Sequence, residues 1–471
     1  MANDRLVLST KKKEDRRVAI ATLIGTTVEW YDFFIYANAV ALIFGPLFFD
    51  PLSNDNAFLG QIIGFATVGI SFFFRPLGAL VAGNLGDKIG RKAMMVATLI
   101  LMGTATVLIG VLPTYQSAGM LAPVLLILLR VLQGFSAGGE WGGAALMAVE
   151  HASADKRGWY GGFPQVGVPL GMLTATAVLS IVHWFSGDAF TVWGWRVPFL
   201  FSIILILVGM FIRLGVAESP IFEEVAKEDD QLRLPLIQMF KYNGRQLVKA
   251  ALTFMGNGVA GYMITGGYIL AYTSGSNGLG MDENHMLNII TLASASWIVT
   301  TLVAARLSDS IGRVRTYQIG FVLQLIWVFP LFMLIDTQTW AGVIVGILPL
   351  TIGLGLTYGP QSAMFAEMFP ARVRYSGAGL SYAIGSILGG AFAPMIATFL
   401  NENFGTSSAV SAYLFIFTLI GLIAVSTIKD RTGKSLGKDA DDIPGNKELE
   451  AAVKADKVTG TPATFERGAG Y

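Results

Sequence analysis

The sequence GNLGDKIGRK at residues 83–92 returns in a shorter form, RLSDSIGR, at residues 306–313. The two stretches share an Asp, a Gly and an Arg at the same spacing, namely Asp87, Gly90 and Arg91 in the first and Asp309, Gly312 and Arg313 in the second. A second echo at nearly the same offset links Glu150 and Arg157 to Glu367 and Arg374. Two repeated motifs predict that the chain has two halves with one internal plan.

Long apolar segments lie on both sides of these loops and determine the fold class. Of the 471 residues, 53% are hydrophobic and 14% are charged, whereas an ordinary soluble domain has about 25% charged residues. A helix needs about 20 residues to cross the hydrocarbon core of a bilayer. Segments that are long and apolar enough lie at residues 18–48, 57–84, 93–113, 119–148, 157–184, 196–214, 247–275, 286–307, 315–335, 340–367, 375–400 and 408–428. Because they are too long for the strands of a membrane barrel, they predict an all-α integral membrane protein with twelve transmembrane helices.

The composition excludes several classes of protein. The low charge content excludes an ordinary soluble enzyme, and the high hydrophobicity excludes a disordered chain. The chain has no Cys, which excludes disulfides, thiolate metal sites and Cys nucleophiles. A net charge of +1 argues against nucleic-acid binding. The three His residues have no metal-ligand spacing, so we expect neither a metal nor a cofactor.

The distribution of Lys and Arg predicts the orientation of the chain in the membrane. The loops near residues 50–56, 114–118, 185–195, 276–285, 336–340 and 401–407 contain no Lys or Arg. Both tails and the alternate loops contain nearly all of them, and Arg213 is counted here with the loop that follows helix 6. Since basic residues stay on the cytoplasmic side, both termini are predicted to be cytoplasmic.

The longest polar interruption between helices begins near Glu218 and ends near Lys249. It predicts a cytoplasmic N-terminal tail (1–17), an N-terminal six-helix bundle (18–214), a cytoplasmic central loop (215–246), a C-terminal six-helix bundle (247–429) and a cytoplasmic C-terminal tail (430–471). The C-terminal tail is polar, and we expect it to be mostly disordered.

Several motifs carry a family resemblance. The two D-x-x-G-R loops resemble those of the major facilitator superfamily, and RVLQG at 130–134 is similar to its R-x-x-Q-G motif. Further stretches resemble the metabolite:proton symporter family within it, namely EWYDF (29–33), RPLG (75–78), GGEWGG (138–143), GWRVPF (194–199), ESP (218–220), YGPQ (358–361), EMFP (367–370) and RVRY (372–375). The resemblance covers essentially residues 18–430.

The resemblance implies a major facilitator fold and a carrier of the cell inner (plasma) membrane of a bacterium. Such a carrier imports a small metabolite together with protons by alternating access. Known members of the family carry shikimate, 2-oxoglutarate, citrate, other carboxylates, or proline and betaine. The expected partners are therefore a small organic acid or zwitterion, protons and the lipid bilayer, and a monomer is sufficient.

Five charged residues lie inside the predicted helices of the first half, where an unpaired charge costs several kcal/mol. Asp32, Glu29 and Glu140 are the candidates for proton coupling, with Asp32 first and Glu140 second. Arg75 and Arg130 lie at comparable depth and could grip a substrate carboxylate with a two-pronged guanidinium. The alternative is a static cluster that only orients helices 1, 2 and 4.

Aromatic and amide side chains complete the predicted substrate pocket, since small-ligand sites combine apolar walls with a few hydrogen-bonding groups. The candidates are Tyr36, Gln133, Trp141, Gln165, Asn257, Tyr262, Tyr358 and Gln361, together with Trp297 and Tyr382. Asn257 and Gln361 are favoured because a buried amide must find a partner. Helix packing is the alternative for each of them.

The resemblance also implies a cytoplasmic gate, in which the D-x-x-G-R loops hold that side shut. Its candidate residues are Gly83, Asp87, Gly90, Arg91, Glu150, Arg157, Asp309, Gly312, Arg313, Glu367 and Arg374. We expect these charges to be exposed, so that each pair contributes about 0–1 kcal/mol. The alternative is that they only fix the orientation of the chain.

Three other functions remain open at this point. The cargo could be a zwitterionic osmolyte such as proline or betaine. The chain could be a transporter-like sensor, although the tail at 430–471 is too small for a soluble output domain. A membrane enzyme is the third, and the sequence offers it no nucleophile–base pair, metal site or phosphate loop.

Overall fold

Each of the twelve apolar segments forms a helix of membrane-spanning length, which confirms the predicted fold class. The computed structural model describes residues 2–49, 57–89, 91–215, 235–265, 267–274, 278–437, 440 and 442–458. Within these ranges, side chains are not described for residues 2–14, 57, 83–84, 86–89, 91, 235–237, 265 and 453–458. No strand occurs among the described residues.

The first six spans are α1 (Ala2–Ala39, continued by a π-helical segment Val40–Phe49), α2 (Ala57–Ile89), α3 (Arg91–Gly110), α4 (Leu121–His151), α5 (Arg157–Ser186) and α6 (Arg196–Leu214). The last six are α7 (Pro235–Thr265, continued by Tyr268–Ser274), α8 (Glu283–Ile311), α9 (Arg313–Ile335), α10 (Trp340–Tyr358, continued by Gln361–Met368), α11 (Arg374–Ser386, then a π-helical segment Ile387–Ala391 and Ala393–Phe404) and α12 (Ser407–Ser426). A further helix, α13 (Asn446–Val458), follows the last span.

Several spans are interrupted, and each interruption has a local cause. The π-helical end of α1 contains Pro46, which lacks a backbone donor. α10 breaks where Gly359 and Pro360 follow Tyr358. α7 breaks beside Gly267, whose φ of +84° is a left-handed conformation that favours Gly.

The two halves meet along two pairs of helices. α2 packs against α11, and α5 packs against α8, while α1 and α4 contact α5 and α2 within the first half. We call the end of the bundle at which α1 begins and α12 ends the terminal end, and the other the opposite end. The outward faces carry exposed apolar side chains such as Phe211 (81% exposed) and Met333 (69%), as expected where the solvent is lipid.

Glycines bring α2 and α4 into close contact at the centre. A Cβ atom at Gly134 would overlap the carbonyl of Ser71, and one at Gly138 would overlap the carbonyl of Arg75. Small residues let helix backbones approach in this way. The approach brings Arg75 of α2 and Arg130 of α4 to the same ring, that of Phe33, and this pair of helices therefore builds much of the site.

Two sequence-based expectations about the chain's ends were wrong. Arg213 does not lie in the central loop, because it occupies the last turn of α6 and its side chain is 4% exposed. The segment after residue 430 is not mostly disordered over the described part, since residues 430–437 pack against the terminal end and α13 packs against α7. Both segments bury apolar or hydrogen-bonded groups, which offsets the entropy of ordering them.

Candidate functional site

Arg75 of α2 lies in an aromatic box at the contact between the halves. Its guanidinium carbon lies 4.1 Å from the ring centre of Phe72, 5.4 Å from that of Trp30 and 5.5 Å from that of Phe33. Tyr262 of α7 closes the box from the other half, with its ring centre 5.1 Å from that of Phe72. Since the Arg75 residue is only 2% exposed, the aromatic faces provide much of the stabilisation of its charge.

Arg130 of α4 is fully buried and is held by neutral groups. Its Nη1 donates to Gln133 Oε1 at 2.6 Å, and its Nη2 donates to Ser71 Oγ at 2.9 Å. The guanidinium carbon lies 3.9 Å from the ring centre of Tyr36, whose hydroxyl hydrogen-bonds Thr67. The guanidinium is oriented by these contacts, but none of them neutralises its charge.

Arg75 and Arg130 both lie close to the Phe33 ring. Their guanidinium carbons lie 5.5 Å and 5.7 Å from the ring centre of Phe33. Neither forms an ion pair with any described carboxylate, and the Nε atom of each has no hydrogen-bond partner there. Two buried cations that have no ion-pair partner are suited to bind an anion, because a buried charge without a close counter-charge costs several kcal/mol.

Asp32 of α1 is fully buried, and only one of its two carboxylate oxygens has a hydrogen-bond partner among the described residues. Its Oδ1 accepts a hydrogen bond from Ser202 Oγ of α6 at 2.6 Å, whereas its Oδ2 has no partner. The Thr106 hydroxyl lies beside the same carboxylate. It donates to the Met102 carbonyl at 3.0 Å and accepts from Gln133 Nε2 at 2.7 Å. Because Gln133 also binds Arg130, a chain of polar groups joins Asp32 to a buried guanidinium.

Glu140 of α4 has a partner that the sequence analysis missed. Both of its oxygens accept from Arg213 of α6, with the Nη1 contact at 2.9 Å, and one also accepts from Thr98 Oγ1 at 2.9 Å. The Arg213 guanidinium further donates to the Met95 carbonyl. Such a two-pronged pair holds a carboxylate firmly. The prediction that Glu140 belongs with Arg75 and Arg130 was therefore wrong.

Glu29 lies between these two groups of charges. It is 5% exposed, and its Oε2 has no hydrogen-bond partner among the described residues. Glu140, Arg75 and Arg213 all lie within electrostatic range of it. The five predicted charges and Arg213 thus separate into the Arg213–Glu140 pair, the Glu29 carboxylate within electrostatic range of that pair, the Asp32 carboxylate, and the guanidiniums of Arg75 and Arg130.

A layer of aromatic rings joins the two halves. The Trp141 ring of α4 stacks on Tyr382 of α11 with ring centres 4.1 Å apart and planes 5° apart. Its Nε1 donates to Gln165 Oε1 at 3.0 Å, and Gln165 Nε2 donates to the Tyr358 carbonyl at 3.3 Å. Trp297 meets the Tyr358 ring edge-on at 5.1 Å. These predicted pocket residues therefore form one layer across the contact between the halves.

Three buried polar side chains of the second half each have one atom without a hydrogen-bond partner among the described residues. Thr357 Oγ1 donates to Asn257 Oδ1, and the Tyr317 hydroxyl donates to Gln361 Oε1 at 3.2 Å. Asn257 Nδ2, Gln361 Nε2 and the Tyr262 hydroxyl have no partner in the described part of the chain. Buried polar groups are normally satisfied, so these unsatisfied groups are available for a ligand.

The gate charges at the terminal end are buried, which corrects the expectation of exposed pairs. Arg374 Nη1 of α11 lies 3.2 Å from Glu150 Oε1 of α4, and both side chains are 0% exposed. The neighbouring Tyr375 hydroxyl donates to the Gly139 carbonyl at 2.6 Å. Deleting one partner of such a pair leaves the other charge buried and uncompensated, at a cost of about 3–5 kcal/mol. The pair therefore fixes how α4 and α11 meet in the closed state.

Asp309 of α8 caps a helix of the other half. Its two carboxylate oxygens accept from the backbone N–H groups of Gly158 (2.8 Å) and Trp159 (2.9 Å) in the first turn of α5. Arg313 Nη1 lies 2.7 Å from the same carboxylate, and Arg313 Nη2 lies 3.4 Å from Glu367. A carboxylate at a helix N-terminus is favourable, and here it joins α5 to α8.

Other predicted gate residues have separate outcomes. Arg157 Nη1 donates to the Lys434 carbonyl of the C-terminal segment. Gly312 has a φ of +100° and begins the turn into α9. Gly83, Asp87, Gly90 and Arg91 lie outside the residues whose side chains are described, so the role of the first loop stays a prediction.

The structure adds residues that sequence reasoning missed. Arg213 had a usable signal, since it is a cation inside the predicted span 196–214. Ser202 and Thr106 gave no signal, because a small hydroxyl in an apolar helix often bonds its own backbone. Leu436, which is 2% exposed, could not be distinguished from other apolar residues of a polar tail.

Comparison with known proteins agrees with this architecture. The family model of the Major Facilitator Superfamily matches residues 22–394. The chain is 39% identical to the inner membrane metabolite transport protein YhjE of Escherichia coli, over 89% of this chain and 95% of that one. It is 37% identical to the shikimate transporter of E. coli, over 91% and 99% of the two chains. Among solved structures, the proton:xylose symporter XylE has a similar fold, with a TM-score of 0.71 at 17% identity over 94% and 99% of the two chains.

Proposed function

The chain belongs to the major facilitator superfamily, and from that premise we propose that it imports a small organic acid together with protons. Like its relatives, it is a membrane transporter and not an enzyme. The proposed cargo is a carboxylate such as shikimate or an oxo- or dicarboxylate. The proposed membrane is the bacterial inner membrane, with the basic terminal end in the cytoplasm.

The observation that carries the cargo class is the pair of buried guanidiniums without a carboxylate. Arg75 and Arg130 both lie close to the Phe33 ring, and neither has an ion-pair partner among the described residues. A substrate carboxylate would supply the missing charge and bind with the planar geometry that guanidinium favours. Asn257, Gln361 and Tyr262 would donate to its other polar groups from the second half.

Proton coupling is best assigned to Asp32. Its Oδ2 is buried without a partner, so the site can hold a proton, whereas Glu140 is saturated by Arg213 and Thr98. The polar chain through Thr106 and Gln133 reaches Arg130. Binding of an acid at Arg130 would therefore be linked to the charge on Asp32. Glu29, with one free oxygen, is the second candidate.

Alternating access would come from rocking two six-helix bundles, residues 18–214 and 247–429, against each other. The Glu150–Arg374 pair and the Asp309 cap hold the terminal end closed. Ring contacts of Trp30 and Phe33 with Tyr262 join the halves near the centre. The Thr176–Thr291 hydroxyl contact at 2.9 Å joins α5 and α8 toward the opposite end. Breaking one set at a time gives the two open states.

The test is uptake into proteoliposomes of the purified protein under an inward proton gradient. Shikimate, 2-oxoglutarate, citrate and proline are offered separately, each with and without an uncoupler. We expect accumulation of one acid that the uncoupler abolishes. Asp32→Asn should lose accumulation but keep exchange of labelled for unlabelled substrate, and Ser411→Ala is the control, since Ser411 bonds the Val328 carbonyl away from the site. Accumulation of none of the acids would refute the proposed cargo class.

A zwitterion is the second candidate cargo, and one observation favours it. The layer formed by Trp141, Tyr358, Tyr382 and Trp297 presents aromatic faces, which attract a quaternary or secondary ammonium. Accumulation of proline in the same assay would select this cargo and give the two arginines a structural role.

A further inference from the structure

The segment that follows α12 crosses the terminal end of the protein and touches both halves. We call residues 430–437 the C-terminal strap. Five of its side chains or carbonyls contact described residues of α4, α5, α9, α10 or α11, and its Leu436 is 2% exposed. A polar tail has no reason to bury a leucine unless the contact stabilises one conformation.

The strap is anchored to the second half at both ends. Asp430 Oδ2 accepts from the Val314 N–H at the start of α9 at 3.0 Å, and the Thr432 hydroxyl accepts from the Arg313 N–H at 3.2 Å. Beyond the strap, Asn243 of α7 donates to the Pro444 carbonyl at 2.6 Å. The strap therefore moves with the second half.

Ion pairs fold the strap back on the chain that follows it. Asp442 lies 2.6 Å from Arg431 and 3.0 Å from Lys434. Hydrogen bonds from these two side chains lower the pKa of Asp442 to about 2. The carboxylate is thus charged at any pH near neutrality, and the turn between the strap and α13 is maintained.

The middle of the strap grips the first half. Arg157 of α5 donates to the Lys434 carbonyl. The Leu436 side chain packs with Leu146 and Val149 of α4 on one side and with apolar residues of the second half on the other, namely Ala363, Ala366 and Tyr375. Its carbonyl accepts from Arg374 Nη2 at 2.8 Å. Leu436 therefore lies beside the gate pair Glu150–Arg374, where the two halves meet.

We propose that the C-terminal strap is an intramolecular latch, whose Leu436 docks in a cleft made by both halves and must withdraw before the terminal end opens. The proposal rests on the alternating access of the proposed function. It adds a partner for the gate, namely the chain's own C-terminal segment. A binding event or modification that captured the strap would raise the open population, because the cleft exists only when the halves are closed.

The absence of Cys from the chain provides a direct test. Ser362 of α10 is 1% exposed, and its Cβ lies against Gly161 of α5 in the other half. In a Ser362→Cys protein reconstituted in nanodiscs, reaction with a charged maleimide reports opening of the terminal end. This readout needs no substrate. Labelling can therefore contradict the latch without contradicting the proposed transport, and a failed uptake assay does not contradict the latch.

We expect Leu436→Ala in that background to raise the labelling rate about tenfold, which corresponds to about 1.4 kcal/mol in the opening equilibrium. The matched control is Leu449→Ala, because Leu449 of α13 is also fully buried but belongs to the helix that packs on α7. An unchanged rate for Leu436→Ala, or an equal increase for both variants, would overturn the latch.

A second pair of variants distinguishes loss of the latch from loss of the folded structure. A chain that ends after Ser435 and one that ends after Gly437 differ by two residues, of which one is Leu436. Faster labelling of the shorter chain alone supports the latch. Equal rates, with equal melting temperatures, contradict it.

Discussion

Three of the described arginines in the first six helices, Arg75, Arg130 and Arg213, are almost completely buried, and their surroundings distinguish them. Arg213 donates to both oxygens of Glu140, whereas Arg75 and Arg130 have aromatic rings, an amide and a hydroxyl as neighbours. All three are at most 4% exposed. Burial alone thus does not identify a binding residue. The presence or absence of a carboxylate partner distinguishes an arginine that stabilises the fold from one that can bind an anion.

The largest effect should come from breaking the paired arginine. Arg213→Ala leaves the Glu140 carboxylate buried without its counter-charge, which costs about 3–5 kcal/mol. We expect a large fall in the melting temperature of the purified protein in detergent. The double variant Arg213→Met/Glu140→Gln should recover most of the loss, because no charge remains buried. A single variant as stable as the parent would remove the basis of the comparison.

Removal of an unpaired arginine should change binding rather than stability. Arg75→Gln removes a charge that forms no ion pair with a described carboxylate, although Glu29 lies within its electrostatic range. We therefore expect the melting temperature to change much less than in Arg213→Ala. The concentration of acid that gives half-maximal uptake should rise about 100-fold, or about 2.7 kcal/mol. The measurement is concentration-dependent uptake in proteoliposomes. A large loss of stability with unchanged affinity would show that Arg75 belongs with Arg213.

A fourth arginine should give the smallest effect. Arg196 at the start of α6 donates to the carbonyls of Gly110 (3.0 Å) and Leu112 (2.6 Å) at the end of α3. Because these are neutral acceptors near the surface, Arg196→Gln should cost about 1 kcal/mol and leave uptake unchanged. The melting temperature and the uptake assay test this directly. A loss of uptake here would show that uptake alone cannot identify an anion-binding arginine.

The sequence predicted the fold well because its signal is long and redundant. Each span needs about 20 apolar residues, and all twelve predicted segments are helices in the structure. The individual pairs were less predictable. Glu140 and Arg213 are far apart in the chain, and the packing of both α4 and α6 against α3 brings them together.

The gate shows a second limit of sequence reasoning. Its residues were identified from repeated motifs, but their burial was not, since a loop charge is usually solvated. Glu150 and Arg374 are buried because α4 and α11 meet at the terminal end, and that meeting depends on both halves. The strap could not be predicted either, because its composition resembles that of a disordered tail.

The Asp309 cap has a consequence for a moving protein. The amides of Gly158 and Trp159 have their acceptor in the other half of the molecule. Whenever the halves part at the terminal end, α5 loses its cap and those two amides meet water. Their rate of hydrogen–deuterium exchange should therefore measure the fraction of time that the terminal end is open, with no label attached and no cargo identified.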